Sequence, residues 1–319
     1  MKTVLYFGKR LLIMLFTLYI IATATFFLLA ATPGDALSAR VERLPDHIAE
    51  RLYEKYGLNK PVMERYAVTM KGLLKGDFGE SIIYKGQTVP GIIKEKGPIS
   101  ARLGIQQMLL GVSVGMLLGI WAAVKKGTIV DHMVVAFSIL LISVPNLVFA
   151  LGLQTVFAGN LAWFPVIGWP KENIWFGGWE YTVLPTLAGC FGYIASYSRL
   201  LKASMLDVMN QDYVLTAESK GLSRFEVVRY HVLRNSFIPI ITQLPMSVAM
   251  CITGSFFIES VFSIPGLGLY YVTAVASQDV TIVMGQTVIL SAIYIAVVFI
   301  TDILYTVVDP RIRIAGGKK

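Results

Sequence analysis

Six stretches of this chain are long enough, and nearly enough free of charge, to cross the hydrocarbon core of a bilayer, which takes roughly 20 residues of α-helix. They span about residues 11–31, 103–124, 133–158, 181–200, 236–258 and 282–306. In lipid every backbone N–H and C=O must find its partner within the segment, so runs of this length are committed to helix. Composition agrees: 55% of the 319 residues are hydrophobic and 15% charged, against about 45–50% and 25% in soluble domains. The expected fold class is an all-α integral membrane protein with about six transmembrane helices. The fourth run is the shortest, bounded by Glu180 and Arg199, and its helix is expected to end with Arg199 snorkelling to the interface.

A formal net charge of +8 raises the question of nucleic acid, but the basic residues follow topology and form no single patch. With the N-terminus inside, Lys2, Lys9, Arg10, Lys125, Lys126, Arg224, Arg229, Arg234, Arg311, Arg313, Lys318 and Lys319 all fall on the cytoplasmic face. The short outer loops then hold little besides Lys171. This positive-inside pattern predicts a multi-pass protein of the cell membrane with both termini cytoplasmic and no nucleic-acid partner. Residues 33–99 also carry many Lys and Arg, but loops longer than about 60 residues cross largely regardless of charge. The first apolar run, about 20 residues, exceeds the 7–15 of a signal peptide's core, so it is expected to remain as a span. Cys190 and Cys251 lie in predicted spans and are expected to be small buried apolar side chains.

Between the first two spans the chain reads as structured. A Thr-Pro-Gly-Asp turn at 32–35 precedes an amphipathic helix at 47–56, where Ile48, Leu52 and Tyr56 recur at helical spacing. Pro61 opens a further helix that Gly76 closes. Trp163, Trp169, Trp175 and Trp179 crowd the loop between the third and fourth spans. That crowding fits an interfacial aromatic belt, and a contact with an external protein is the alternative. After Glu259 the sequence Ser-Ile-Pro-Gly-Leu-Gly at 263–268 cannot continue a regular helix, so the chain turns there.

The polar stretch at 212–235, DYVLTAESKGLSRFEVVRYHVLRN, has the turn chemistry of a helical hairpin. Asp212 is expected to cap a two-turn helix that Gly221 ends in the left-handed conformation. Ser223 and Glu226 have the spacing of a capping box opening a second helix, which is expected to run on past Phe237 into the membrane. Two readings fit: an amphipathic hairpin lying on anionic membrane lipid, or a knob that receives force from a soluble partner.

Ala217, Gly221 and the apolar helix with Pro239 resemble the cytoplasmic loop of binding-protein-dependent ABC importer permeases. The wording TAESKGLS followed by HVLRNSFIPI is similar to the oligopeptide, dipeptide and nickel branch, first permease subunit type. YGLNKPVMERY with GLLKGDFGES, then ESVFSIPGLG, then VVDPRIR, extend the likeness over nearly the whole chain. Leu215 and Thr216 stand where the general signature has a glutamate and an alanine, and Lys96-Gly-Pro-Ile-Ser-Ala-Arg102 replaces an Arg-Leu-Pro motif before the second span. The resemblance implies a type I importer permease fold. Its expected parts are a cytoplasmic N-terminus and first span at 1–31, an extracytoplasmic segment at 32–101, a core of five spans at 102–310 with a docking loop at 202–235, and a cytoplasmic tail at 311–319. It also implies that Tyr213, Ala217, Glu218, Lys220, Gly221, Leu222, Ser223 and Arg224 dock an ATPase. The implied partners are a second homologous permease, two cytoplasmic ATPase subunits and an extracytoplasmic solute-binding protein. Peptide is the implied cargo, with a nickel complex as the alternative.

No chemistry of bond making is written in the chain. It lacks a glycine-rich loop ending in Gly-Lys-Ser/Thr, and His47, His132 and His231 have no metal spacing. The protein is therefore expected to be no enzyme and to hold no cofactor or metal, with ATP and magnesium on the partner ATPases. Gln154, Gln243 and Gln286 are candidates for lining the pathway, where an amide can donate to and accept from a peptide backbone; hydrogen bonding between helices is the alternative. Asp302, near the inner end of the sixth span and close to Asp309 and Arg311, is expected to join a helix-end salt bridge. A secondary transporter would need repeated broken helices and a midplane charge, neither of which is evident.

Overall fold

The computed structural model describes residues 2–34, 37, 45–84, 86–170 and 173–308. In chain order the elements are α1 (Lys2–Ala31), α2 (Asp46–Lys55), α3 (Val62–Leu74), α4 (Val89–Val124), α5 (Ile129–Ser143) and α6 (Asn146–Leu153), which continues as a π-helical stretch, Gln154–Asn160. Then follow α7 (Trp179–Met209), α8 (Asp212–Ser219), α9 (Arg224–Glu226), a second π-helical stretch (Val227–Val232) and α10 (Leu233–Ser236). Helices α11 (Ile238–Thr253), α12 (Phe256–Val261), α13 (Leu267–Ala276) and α14 (Val280–Val308) complete the described chain.

Four of these segments are long and apolar enough to cross a membrane, namely Gly8–Ala31, Val89–Val124, Ile238–Val261 and Val280–Thr301, and the bent pair α5–α6 would make a fifth. The apolar runs at 11–31 and 282–306 fall inside single helices, as expected. The third does not. Its two halves meet at 94°, because Val144 precedes Pro145 and takes an extended conformation, φ −93° and ψ 125°, the region to which a following proline ring confines it. The fifth run breaks at Gly254, φ +82°. Helix α7 continues ten residues beyond Arg199, so that arginine is no terminus. Helix α4 starts well before the apolar run it contains: Thr88 accepts the Gly91 N–H at 3.2 Å as an N-cap would, and the helix passes through Pro98. Absence of charge marks where a helix meets lipid, and the backbone caps mark where it begins.

The chain divides into two compact units, one formed by residues up to Pro98 with those from Gly266 onward, the other by Ile99–Pro265. In the first, α1 and α14 pack through Ala22, Phe26, Met284 and Val288, while Leu12, Phe16 and Leu28 of α1 stay exposed. The buried Asp279 accepts hydrogen bonds from Ser81 Oγ at 2.5 Å and the Ile83 N–H at 3.2 Å. It also accepts the Ile282 N–H at 3.3 Å, so one carboxylate caps α14 and holds the 81–84 turn. The predicted helices before and after Pro61 are present as α2 and α3.

In the second unit α7 is central. Gly111, Gly115 and Gly119 of α4 lie against its backbone, where a Cβ on each would come within 2.7, 2.8 and 2.7 Å of the carbonyl oxygens of Cys190, Ile194 and Ser198. Small residues four apart allow this approach, the usual basis of helix association in lipid. Cys190 and Cys251 are free and buried, as expected. Lys171, Asp309, Arg311, Arg313, Lys318 and Lys319 lie outside the described residues, as do the side chain of Asp302 and the end of the 32–35 turn, so the expected salt bridge falls there too.

Gly115→Leu should therefore lower the thermal midpoint of the purified protein, by the equivalent of about 1–3 kcal/mol for overpacking. Gly152→Leu should leave it unchanged, since no atom lies within 4 Å of the Cβ it would add. Size-exclusion chromatography after heating in detergent reads both.

Candidate functional site

The hairpin at 212–235 is built by two local devices placed back to back. At the end of α8 the Gly221 N–H donates to the Glu218 carbonyl at 2.9 Å and the Leu222 N–H to the Ala217 carbonyl at 3.4 Å. This paired arrangement is a Schellman motif, and it needs a residue in the left-handed region at the turn. Gly221 supplies it with φ +83°. Leu222 and Ala217, the two side chains that such a motif brings together, join the same apolar cluster. Immediately after, the Ser223 N–H donates to Glu226 Oε2 at 2.8 Å and the Glu226 N–H to Ser223 Oγ at 3.4 Å. The capping box read from the sequence is thus present.

One expected feature differs. Gln211, not Asp212, occupies the N-cap of α8, and no side chain caps it. Asp212 lies in the first turn, where its charge still favours the positive end of the helix dipole. The returning limb is continuous in direction but loosened to π-helical hydrogen bonding from Val227 to Val232. It then passes through Phe237 into α11, with the Ile241 N–H bonded to the Phe237 carbonyl at 2.9 Å.

Three further bonds, none legible in the local sequence, tie the hairpin together, join it to α4 and join the helices beneath it. Asn235 Nδ2 donates to Tyr213 Oη at 2.8 Å and ties the two limbs together. Arg224 donates to the Val124 carbonyl at 2.8 Å, the last residue of α4. Lys202 on α7 pairs with the buried Asp131 in the first turn of α5. Beneath the hairpin, Val214, Ala217, Val227 and Val232 pack with Leu201, Met205 and Ala123. Outward, Leu215 is 54% and Phe225 70% exposed. Tyr213 and Tyr230 are also exposed, so apolar side chains of both limbs stand out from a hydrogen-bonded base. Glu218, Lys220, Ser223 and Arg224 are exposed beside it.

A second feature of the same unit is a cavity of about 430 Å³ whose walls include Gln107, Asn146, Tyr193, Ser196, Gln243 and Met250. None of the residues that line it is charged. Of the three candidate glutamines, Gln243 borders this space. Gln154 donates to the carbonyls of Val166 and Val261, each at 2.9 Å. Gln286, fully buried, donates to the Leu267 carbonyl at 2.7 Å. Gln107, buried, donates to the Pro185 carbonyl at 3.1 Å.

The tryptophan-rich loop divides the same way. Trp163, Trp175 and Trp179 are exposed, while Trp169 packs under the Arg102 guanidinium, 5.1 Å from its ring centre. Arg102 also donates to the carbonyls of Ile174 at 2.7 Å and Gly177 at 2.8 Å. No group of three or more His, Cys, Asp and Glu able to hold a metal occurs among the described residues.

Comparison with known proteins gives a consistent picture. Residues 115–314 match the family described as binding-protein-dependent transport system inner membrane component. The chain is 37% identical over 309 residues to the dipeptide transport system permease protein DppB of Lactococcus lactis subsp. cremoris, covering 97% of this chain and 99% of that one. It is 35% identical to the oligopeptide transport system permease protein OppB of Haemophilus influenzae, covering 96% and 98%. Identity is also 35% to the dipeptide transport system permease protein DppB of Bacillus subtilis, covering 97% and 98%.

The Ser223 hydroxyl, with its backbone N–H, holds the Glu226 carboxyl below the usual carboxylate range. A depressed folded-state pKa means the contribution is fully present above the ordinary carboxylate value of about 4.3. It is lost as pH falls through the depressed value. Amide exchange at residues 223–227, corrected for intrinsic rates, should stay protected at neutral pH and lose protection on acidification, and Glu226→Gln should abolish that pH dependence.

Proposed function

The chain belongs to the binding-protein-dependent transport system inner membrane components, and from that premise we propose that it is one of two permease subunits of an ATP-driven importer of dipeptides or oligopeptides. As a transport-system permease it is a multi-pass membrane protein and carries out no covalent chemistry. Similarity at 35–37% over almost the full length to proteins named as dipeptide and oligopeptide permeases supports peptide over a nickel complex as cargo.

In this reading the hairpin faces the cytoplasm, with both chain termini on that side, as the distribution of Lys and Arg suggests. Its exposed Leu215 and Phe225 enter an apolar cleft of an ATPase subunit, and Glu218, Lys220 and Arg224 meet polar groups on the rim. The observation that carries the reading is the pairing of exposed apolar side chains on both limbs with a doubly locked turn. A flexible loop would absorb the ATPase stroke. A hairpin closed by a Schellman motif and a capping box passes it on, and rigid helices can then rock to change which side of the membrane the pathway faces. ATP and magnesium are held by the two ATPases, and an extracytoplasmic solute-binding protein delivers the cargo. The second permease supplies the other half of the pathway.

On this side of the pathway the uncharged cavity suits a peptide. Its amides, hydroxyls and tyrosines can satisfy a backbone common to all peptides, and the absence of charge avoids selecting for or against any ionised side chain. Gln243 takes the pathway role among the glutamines singled out above. Gln154 and Gln286 join helices and turns through their backbone bonds.

Gly221→Val tests the reading. The φ of +83° strains a β-branched residue, so ATP-dependent peptide uptake in proteoliposomes should fall about tenfold or more, or the ATPases should fail to co-purify; wild-type uptake and assembly together would refute the docking role. A single cysteine in place of Ser223 should react with a membrane-impermeant maleimide only from the cytoplasmic side, and reaction from outside intact cells would reverse the orientation.

A further inference from the structure

One buried charge of the second unit has no part in the docking face. Asp131 is 6% exposed. It lies in the first turn of α5, accepts the Gly127 N–H at 3.1 Å and pairs with Lys202 of α7. About two turns further along α5, and one turn back along α7, Ser138 Oγ and Ser198 Oγ are hydrogen-bonded at 2.8 Å. Holding α5 against α7 requires no charge: apolar residues of the same volume pack two helices as well or better, because an ion pair must first lose its water. What an ion pair adds is direction. The carboxylate grips the ammonium on one side and the glycine turn between α4 and α5 on the other, and so fixes that turn relative to α7.

Helix α7 ends at Met209 and, three residues on, becomes the hairpin. The returning limb of the hairpin reaches the same connection, because Arg224 donates to the carbonyl of Val124, where α4 ends. Ala123 and Val124 pack into the cluster that contains Val214, Ala217 and Val227 of the hairpin. The α4–α5 turn is therefore held from α7, which leads into the hairpin, and from the hairpin's second limb, by two charged side chains that reach it from positions distant in sequence.

We propose that the Asp131–Lys202 pair is a coupling strut: it makes the α4–α5 turn move with the hairpin, so that the ATPase stroke is delivered to α4 and α5 as well as to the helices on either side of the hairpin. Asp131 and Lys202 are positioning residues. They act through the turn and touch neither nucleotide nor cargo. The inference rests on the docking function proposed above.

The test uses the complete complex, with its ATPases, partner permease and binding protein, reconstituted in proteoliposomes and supplied with a radiolabelled tripeptide. Two quantities are read together: the yield of assembled complex, and peptide taken up per ATP hydrolysed. Asp131→Asn leaves Lys202 without its counter-charge and can impair folding, so the doubly neutral Asp131→Asn/Lys202→Met is made beside it. The double variant is expected to assemble at close to wild-type yield and to hydrolyse ATP, while uptake per ATP falls about tenfold, within the range over which coupling contacts act. Lys202→Arg should keep the wild-type ratio. Unchanged uptake per ATP in the double variant overturns the strut. Failure of the doubly neutral variant to assemble also overturns it, because the pair would then be a scaffold bond. A wild-type complex without ATP-dependent uptake would remove the premise itself, and the wild-type arm tells that failure apart from the others.

Discussion

The stiffness of the turn at Gly221 is the constraint on which the rest depends. Two helices meet there with no flexible residues between them. A Schellman motif satisfies the last carbonyls of α8, and a capping box satisfies the first amides of α9. Each device is local and worth little alone. Placed back to back they leave the backbone without a free hinge, and the side chains of Ala217, Leu222 and Val227 then have a single way to pack on the ends of α4 and α7. The hairpin that exposes Leu215 and Phe225 is therefore a fixed projection of a larger body.

That body is held by close backbone approach and by sparse polar bonds, as expected where lipid removes most of the hydrophobic drive for helix association. The glycines of α4 bring its backbone against α7, and Ser138 with Ser198 and Asp131 with Lys202 fix α5 against the same helix. The uncharged cavity lies in the same unit. A displacement of the hairpin has rigid elements to travel through, and the cavity walls belong to those elements.

What could be read from the sequence follows from how local each interaction is. The hairpin was legible because Gly221 and the Ser223–Glu226 pair act within four residues, and only the cap of α8 was misassigned, to Asp212 in place of Gln211. The helices at 47–56 and after Pro61 were legible by periodicity and proline for the same reason. Counting charge-free residues located the apolar runs but missed the 94° bend, although Pro145 stood in the middle of the third run. It also missed the true start of α4, whose first turns carry Lys94, Glu95 and Lys96. The ties of Asp131 to Lys202, Arg224 to Val124 and Arg102 to the tryptophan loop join residues about 70 to 100 apart. No local pattern announces such pairs. The one visible signal was the glycine spacing at 111, 115 and 119, which marks a close helix contact without naming the partner.

The central claim is that the exposed tip of the hairpin is seated in an ATPase subunit. A photo-activated cross-linking residue placed at Phe225 in the intact complex in native membranes measures this directly. The account predicts an adduct with the ATPase, strengthened or weakened by trapping the nucleotide state. Adducts formed with lipid alone, with the ATPases present and bound, would contradict it.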